Sequence, residues 1–122
     1  MKDSTLLLRQ IHPAFLQYGR VSSQAFRPTP KDEQRLSVYD GDQIAPQPAY
    51  LHYTETLRLQ STGVMALTVA ECQSRSLTVV SDPAPYPEHA VIDFSACSKS
   101  ATERMAKEFR LLAEARGWLY RP

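Results

Sequence analysis

The chain has 122 residues, 43% of them hydrophobic and 22% charged, and a formal net charge of +1. This is the length of one domain with one core, and the composition excludes both intrinsic disorder and a membrane-embedded class. Near-neutral charge gives no general pull toward nucleic acid or an anionic membrane.

The opening run "MKDSTLLLRQI" is broken by Arg9, too short for a signal-peptide core or a spanning helix, so a cytoplasmic protein is expected. Within it, Leu6 to Ile11 predict a strand that stops at His12-Pro13, because a residue before proline is pushed to extended geometry. Residues 20–43 are the most polar part of the chain. They carry Arg20, Ser22, Ser23, Gln24, Arg27, Lys31, Asp32, Glu33 and Arg35 around one aromatic side chain, Phe26. Phe26 is expected to pin this segment to the core, Arg27 to offer a fork for carboxylate or phosphate, and Pro28 and Pro30 to stiffen it. Leu36 to Tyr39 alternate and end at Asp40-Gly41, which predicts a second strand and a turn.

Pro46 and Pro48 suit the first turn of a helix over about 46–59, whose stripe is Ala49, Tyr53 and Leu57. The nearly continuous apolar run Val64 to Cys72 reads as a central strand. Leu77 to Val80 and His89 to Phe94 read as two more, joined by the proline-rich "SDPAPYPE". A C-terminal helix over about 100–116 is expected to open on a Ser100/Glu103 capping box and to stop at Gly117. Trp118, Leu119 and Tyr120 should then fold back on the core. The sum is an α+β domain with one mixed or antiparallel sheet of about five strands and two packed helices. If the central helix is a crossover, the strands it joins run parallel.

Four glycines exclude a glycine-rich phosphate cradle, and no GxGxxG, GxxxxGK[ST], HExxH or GxSxG motif is present. Cys72 and Cys97 fit no metal-ligand spacing and read as inert thiols beside apolar strands. The three histidines share no ligand spacing either, so no metal is expected. His12 and His89 lie at strand ends, where catalytic groups often sit, whereas His52 on the central helix is expected to face solvent. Arg9 shares a strand face with Leu7 and Ile11, and Glu71 shares one with Met65, Leu67 and Val69. A charge in such company needs a rim position, an opposite charge or an anionic ligand.

The succession "LRQI", "FRP…LSVYDG", a helix and "GVMALTVAE" resembles small ADP-ribosyltransferase-like domains, including toxins of the RES type, over about residues 6–72. The resemblance implies an NAD or nucleotide substrate. Arg9 would bind its phosphate or ribose side, Ser37 or Tyr39 would line the nicotinamide pocket, and Glu71 would orient a ribose hydroxyl. His12 would join Arg9, Ser37 and Glu71 in that cleft. The function expected is instead a non-catalytic module that binds another protein through the rigid loop, using Arg20, Gln24, Phe26, Arg27, Lys31 and Arg35, with the transferase-like enzyme as the alternative. Residues 99–121 add six cations against three glutamates, a mild surplus without the interleaved aromatics of an RNA-binding strand. Convergence of the four residues in a pocket would favour the enzyme. Scatter, with an exposed apolar patch near Phe26 or Trp118, would favour the module.

Overall fold

The computed structural model describes residues 1–29, 31 and 33–122, so the roles expected of Pro30 and Asp32 lie outside the described residues. Five strands form one antiparallel sheet: β1 (Leu6–Gln10), β4 (Arg35–Asp40), β5 (Val64–Thr68), β6 (Thr78–Ser81) and β7 (His89–Asp93), in the spatial order β5-β1-β4-β7-β6. A small hairpin, β2 (Leu16–Gln17) and β3 (Arg20–Val21), precedes β4. Its turn, Tyr18-Gly19, has positive φ at both residues, 53° and 78°, the handedness that matches strand twist. That hairpin was not anticipated. β1 lies between β4 and β5 and is antiparallel to both, so β4 and β5 do run parallel, although they are not neighbours.

The α+β expectation holds. Among the described residues three α-helices occur: α1 (Pro46–Leu51), α2 (Val69–Gln73) and α3 (Lys99–Arg116). Strand alternation splits the core into two layers. Leu7, Ile11, Leu36, Val38, Met65, Leu67 and Ile92 face α3 through Ala106, Phe109 and Ala113. Leu8, Tyr39, Val64 and Ala66 face α1 through Ala49. Phe26 is 0% exposed within the first layer, so it does anchor the polar segment.

Three local expectations change. The strand expected over Val64 to Cys72 ends at Thr68, because Thr68 and Glu71 form a reciprocal capping box that starts α2. The signature T-x-x-E was present in the sequence, hidden within an apolar run. The central helix widens after Leu51 into a π turn, His52–Thr56, closed by the Leu57 N–H donating to the His52 carbonyl at 3.0 Å. The helix α3 is capped by Ser98, whose side chain accepts from the Ala101 N–H, and not by Ser100. Gly117 ends it with φ of 89°, and Leu119 and Tyr120 then bond across to Val64. Gly63 makes this closure possible, since a Cβ there would lie 2.6 Å from the Tyr120 carbonyl oxygen.

Candidate functional site

The β1–β4 ladder carries register pairs only at Leu7↔Asp40 and Leu8↔Tyr39, so the strands part beyond Leu8. Arg9 fills the opening. Its Nη1 donates to the Ser37 carbonyl at 2.9 Å, the acceptor a longer ladder would have met from β1, and its Nε donates to the Ala25 carbonyl at 2.7 Å. The arginine therefore ties β1, β4 and the anchored polar segment together. Beside it lies a cleft of about 450 Å³ lined by Arg9, Gln10, Ser37, Tyr39, Tyr53, Tyr86 and His89.

The cleft wall is an aromatic stack built from β4, the π turn, the loop after β6 and the start of β7. Tyr39 stacks on Tyr86 at 5.1 Å between ring centroids, and His52 meets Tyr86 edge-on at 4.7 Å. His89 meets Tyr86 at 5.1 Å. The Tyr39 hydroxyl is 2.8 Å from His52 Nδ1. His52 is therefore half-buried and engaged, contrary to the expectation of a solvent-facing residue, because α1 lays it over Tyr39 on the sheet. Burial first, and then the neighbouring tyrosines and Glu88, hold the Tyr39 phenol well above the ordinary range. Tyr86 is raised chiefly by burial; the Tyr39 hydrogen bond and Arg9 pull it down, while Tyr53 and Glu88 push it up. Glu88 is thus the carboxylate whose charge acts on both phenols.

His89 is 7% exposed and held at both ring nitrogens. Nδ1 is 2.9 Å from the Asp82 carbonyl oxygen and 3.4 Å from the Asp82 carboxylate, and Nε2 is 3.2 Å from Ser37 Oγ. Gln10 accepts from Ser61 through Oε1, while its buried Nε2 has no hydrogen-bond partner among the described residues. A buried donor left unpaired is costly, and it is a ready contact for a ligand carbonyl.

Of the four residues expected to converge, Arg9 and Ser37 meet here. His12 and Glu71 do not. His12 caps the turn Pro13–Phe15, accepting from the Ala14 N–H at 2.9 Å. Glu71 belongs to the capping box of α2 and pairs with Arg116. Tyr53 was read only as part of a helix stripe, and Tyr86, Asp82 and Glu88 were not singled out from sequence. The last three lie in a proline-rich stretch that read only as a connection.

No protein-family model, curated protein or solved structure matches this chain.

The polar segment builds a different surface against α3. Gln24 and Arg27 stand between two open depressions. One, about 600 Å³, runs beside Phe15, Pro28, Cys97 and Thr102. The other, about 610 Å³, is rimmed by Arg20, Arg27, Lys107 and Arg110. Glu114 pairs with Arg20 and Arg110, and Glu103 with Arg27. Lys31 and Arg35 are exposed. Phe26 is fully buried and Trp118 is half-buried under Arg121, 4.3 Å from its ring, so neither opens an apolar patch.

Proposed function

We propose that the chain binds a nucleotide in the cleft beside Arg9, as an ADP-ribosyltransferase-like domain with NAD as its substrate. One observation carries this reading. Arg9 and Ser37, 28 residues apart, are hydrogen-bonded at the mouth of a cleft walled by Tyr39, Tyr53 and Tyr86. Tyrosine faces suit a planar base or a nicotinamide ring, the guanidinium suits a phosphate, and the unpaired Gln10 amide suits a carboxamide oxygen. Glu71 is spoken for as a helix cap, so we assign the acidic role to Glu88, whose backbone carbonyl accepts from the Asp40 N–H next to Tyr39. A carboxylate there would stabilise the positive charge that develops on the ribose as its bond to nicotinamide breaks.

The test is a thermal-shift titration of wild type, Arg9→Met and Glu88→Gln with NAD. At a hundred times the dissociation constant, NAD should add about 2.7 kcal/mol of stability to wild type. Arg9→Met should lose the shift, and Glu88→Gln should keep it while losing nicotinamide release. No shift in wild type at millimolar NAD sinks the reading.

A second reading rests on the paired depressions around Gln24 and Arg27. Their cations, Arg20, Arg27, Lys107 and Arg110, favour an acidic segment of another protein as occupant. Binding of a fluorescent poly-glutamate peptide, measured by anisotropy, should be lost in Arg27→Glu/Lys107→Glu. Equal binding by that variant removes this reading.

A further inference from the structure

We propose that Ser37 is a nucleophile armed by His89, which gives the cleft an acyl-transfer activity toward small aryl esters. The inference stands on the hydrogen-bond chain through His89 and does not require that the cleft take a nucleotide.

The chain fixes its own proton positions. A carbonyl oxygen can only accept, so the short contact from His89 Nδ1 to the Asp82 carbonyl, 2.9 Å, places the proton of the neutral imidazole on Nδ1. Nε2 is then a lone pair, and it faces Ser37 Oγ at 3.2 Å. The serine hydroxyl must donate to it. The remaining lone pairs of Oγ point away from the ring, and Ser37 is exposed where His89 is buried. That is the arrangement of a nucleophile with its general base: base within hydrogen-bond reach, and base oriented by a third group.

The surroundings suit the reaction. The Asp82 carboxylate, 3.4 Å from Nδ1, is placed to stabilise the imidazolium that forms when His89 takes the serine proton. Arg9 grips the Ser37 carbonyl and so holds the backbone beneath the nucleophile. Asp82 after β6 and Tyr86 in the following loop contact His89, Glu88 precedes it in the chain, Tyr39 on β4 is its register partner and Arg9 on β1 lines the same cleft, while His52 on the π turn meets Tyr86. His52 is bonded to Tyr39 and not to Ser37. The tyrosine wall selects a phenolic leaving group, which can stack on Tyr53 and Tyr86 while its acyl carbon meets Oγ.

The step balances within the site. Oγ bonds to the acyl carbon as its proton passes to Nε2. The bond from that carbon to the phenolic oxygen breaks, and the phenolate takes the proton back from the imidazolium. Water, deprotonated by His89 in the second half, then releases the carboxylic acid and restores the serine.

The probe is a biotinylated fluorophosphonate. Oγ bonds to phosphorus, fluoride leaves, and His89 accepts the proton and passes it to solvent. Peptide mass spectrometry should find the adduct on Ser37, and Ser37→Ala should abolish it. His89→Gln should slow labelling by about 10²- to 10⁴-fold. In wild type the rate should rise with pH to a plateau, and His12→Gln, at a turn cap outside the cleft, should leave the labelling rate unchanged. Absence of an adduct on Ser37 overturns the proposal. So does an equal rate in a folded His89→Gln, or a rate that climbs with hydroxide and never levels. Should His89→Gln fail to fold, the wild-type pH profile decides alone. Saturating NAD separates the two readings of the cleft: blocked labelling supports both, and labelling that NAD leaves untouched supports the nucleophile while removing the nucleotide.

Discussion

Glu71 Oε2 lies 3.0 Å from Arg116 Nη2, joining the first turn of α2 to the last turn of α3. The same carboxylate accepts from the Thr68 N–H at 2.8 Å, which makes it a helix cap as well as one half of an ion pair. Burial pushes its pKa up, but the Arg116 and Thr68 hydrogen bonds outweigh burial and hold it below the usual carboxylate value. A depressed folded-state pKa adds stability above the unfolded value, and that stability is lost as pH falls through the folded one. Glu71→Ala should therefore cost about 1–2 kcal/mol at neutral pH, mostly from the cap, since a solvent-screened pair adds little. The cost should shrink in acid. Denaturant melts at neutral and acidic pH check this.

Arg9 should matter in two separable ways. It is half-buried, and it satisfies the carbonyls of Ala25 and Ser37 where β1 and β4 part. Arg9→Ala leaves both without their charged donor, and about 1.5–3 kcal/mol per hydrogen bond to a charged group sets the scale of the loss. The melting temperature should fall by several degrees. Arg9→Lys restores the charge without the fork, so it should recover only part of the stability, because an ammonium cannot span two divergent carbonyls. Full recovery by lysine would show that charge, and not geometry, ties these elements together.

The sheet was legible because its strands are bounded by signals that act locally. His12-Pro13, Asp40-Gly41 and the proline cluster after Ser81 each break extended structure by backbone sterics. The anchoring role of Phe26 was legible for a related reason, since a lone aromatic in a polar stretch has only one place to go. The cleft was not legible. Arg9 was flagged as a charge on an apolar strand, and Ser37 entered only through the family resemblance. Their meeting depends on where the β1–β4 ladder stops, which is a tertiary fact. Glu71 misled for a local reason: Thr68-Val69-Ala70-Glu71 is apolar enough to pass for strand, and the capping box outcompetes it. Tyr86 and Glu88 escaped notice because a loop has no periodicity to show which of its side chains turn inward.

Phe26→Ala should be the most damaging change in the polar segment. The ring is 0% exposed, and a buried phenylalanine cut to alanine typically costs about 3–5 kcal/mol. The adjacent Ala25 carbonyl accepts from Arg9, so loosening here should reach the cleft. Amide hydrogen exchange is expected to speed up first over residues 20–29 and then at β4, ahead of β6. Exchange that rises uniformly instead would mean that the segment unfolds only with the whole domain. Gln24→Ala, on the exposed side of the same turn, should change stability by less than about 0.5 kcal/mol.

The two thiols should differ sharply in reactivity. Cys72 is 0% exposed on α2, and burial first, with the Glu71 charge second, pushes its thiol up to about 12. The thiolate is the reactive form, so at pH 8 only about one Cys72 in 10⁴ is deprotonated, and the sulfur is also shielded. Cys97 is half-buried at the edge of the groove beside Lys99 and Thr102, with Sγ 3.9 Å from Met105 Sδ. Iodoacetamide on the native protein should alkylate Cys97 and spare Cys72, with both modified after denaturation. The Cys97 rate should also respond to an occupant of the Arg27 groove, because the thiol lines it. A native Cys72 that is modified as fast as Cys97 would mean that α2 opens from the sheet on the timescale of the reaction, and the Glu71–Arg116 pair would then be too weak to hold it closed.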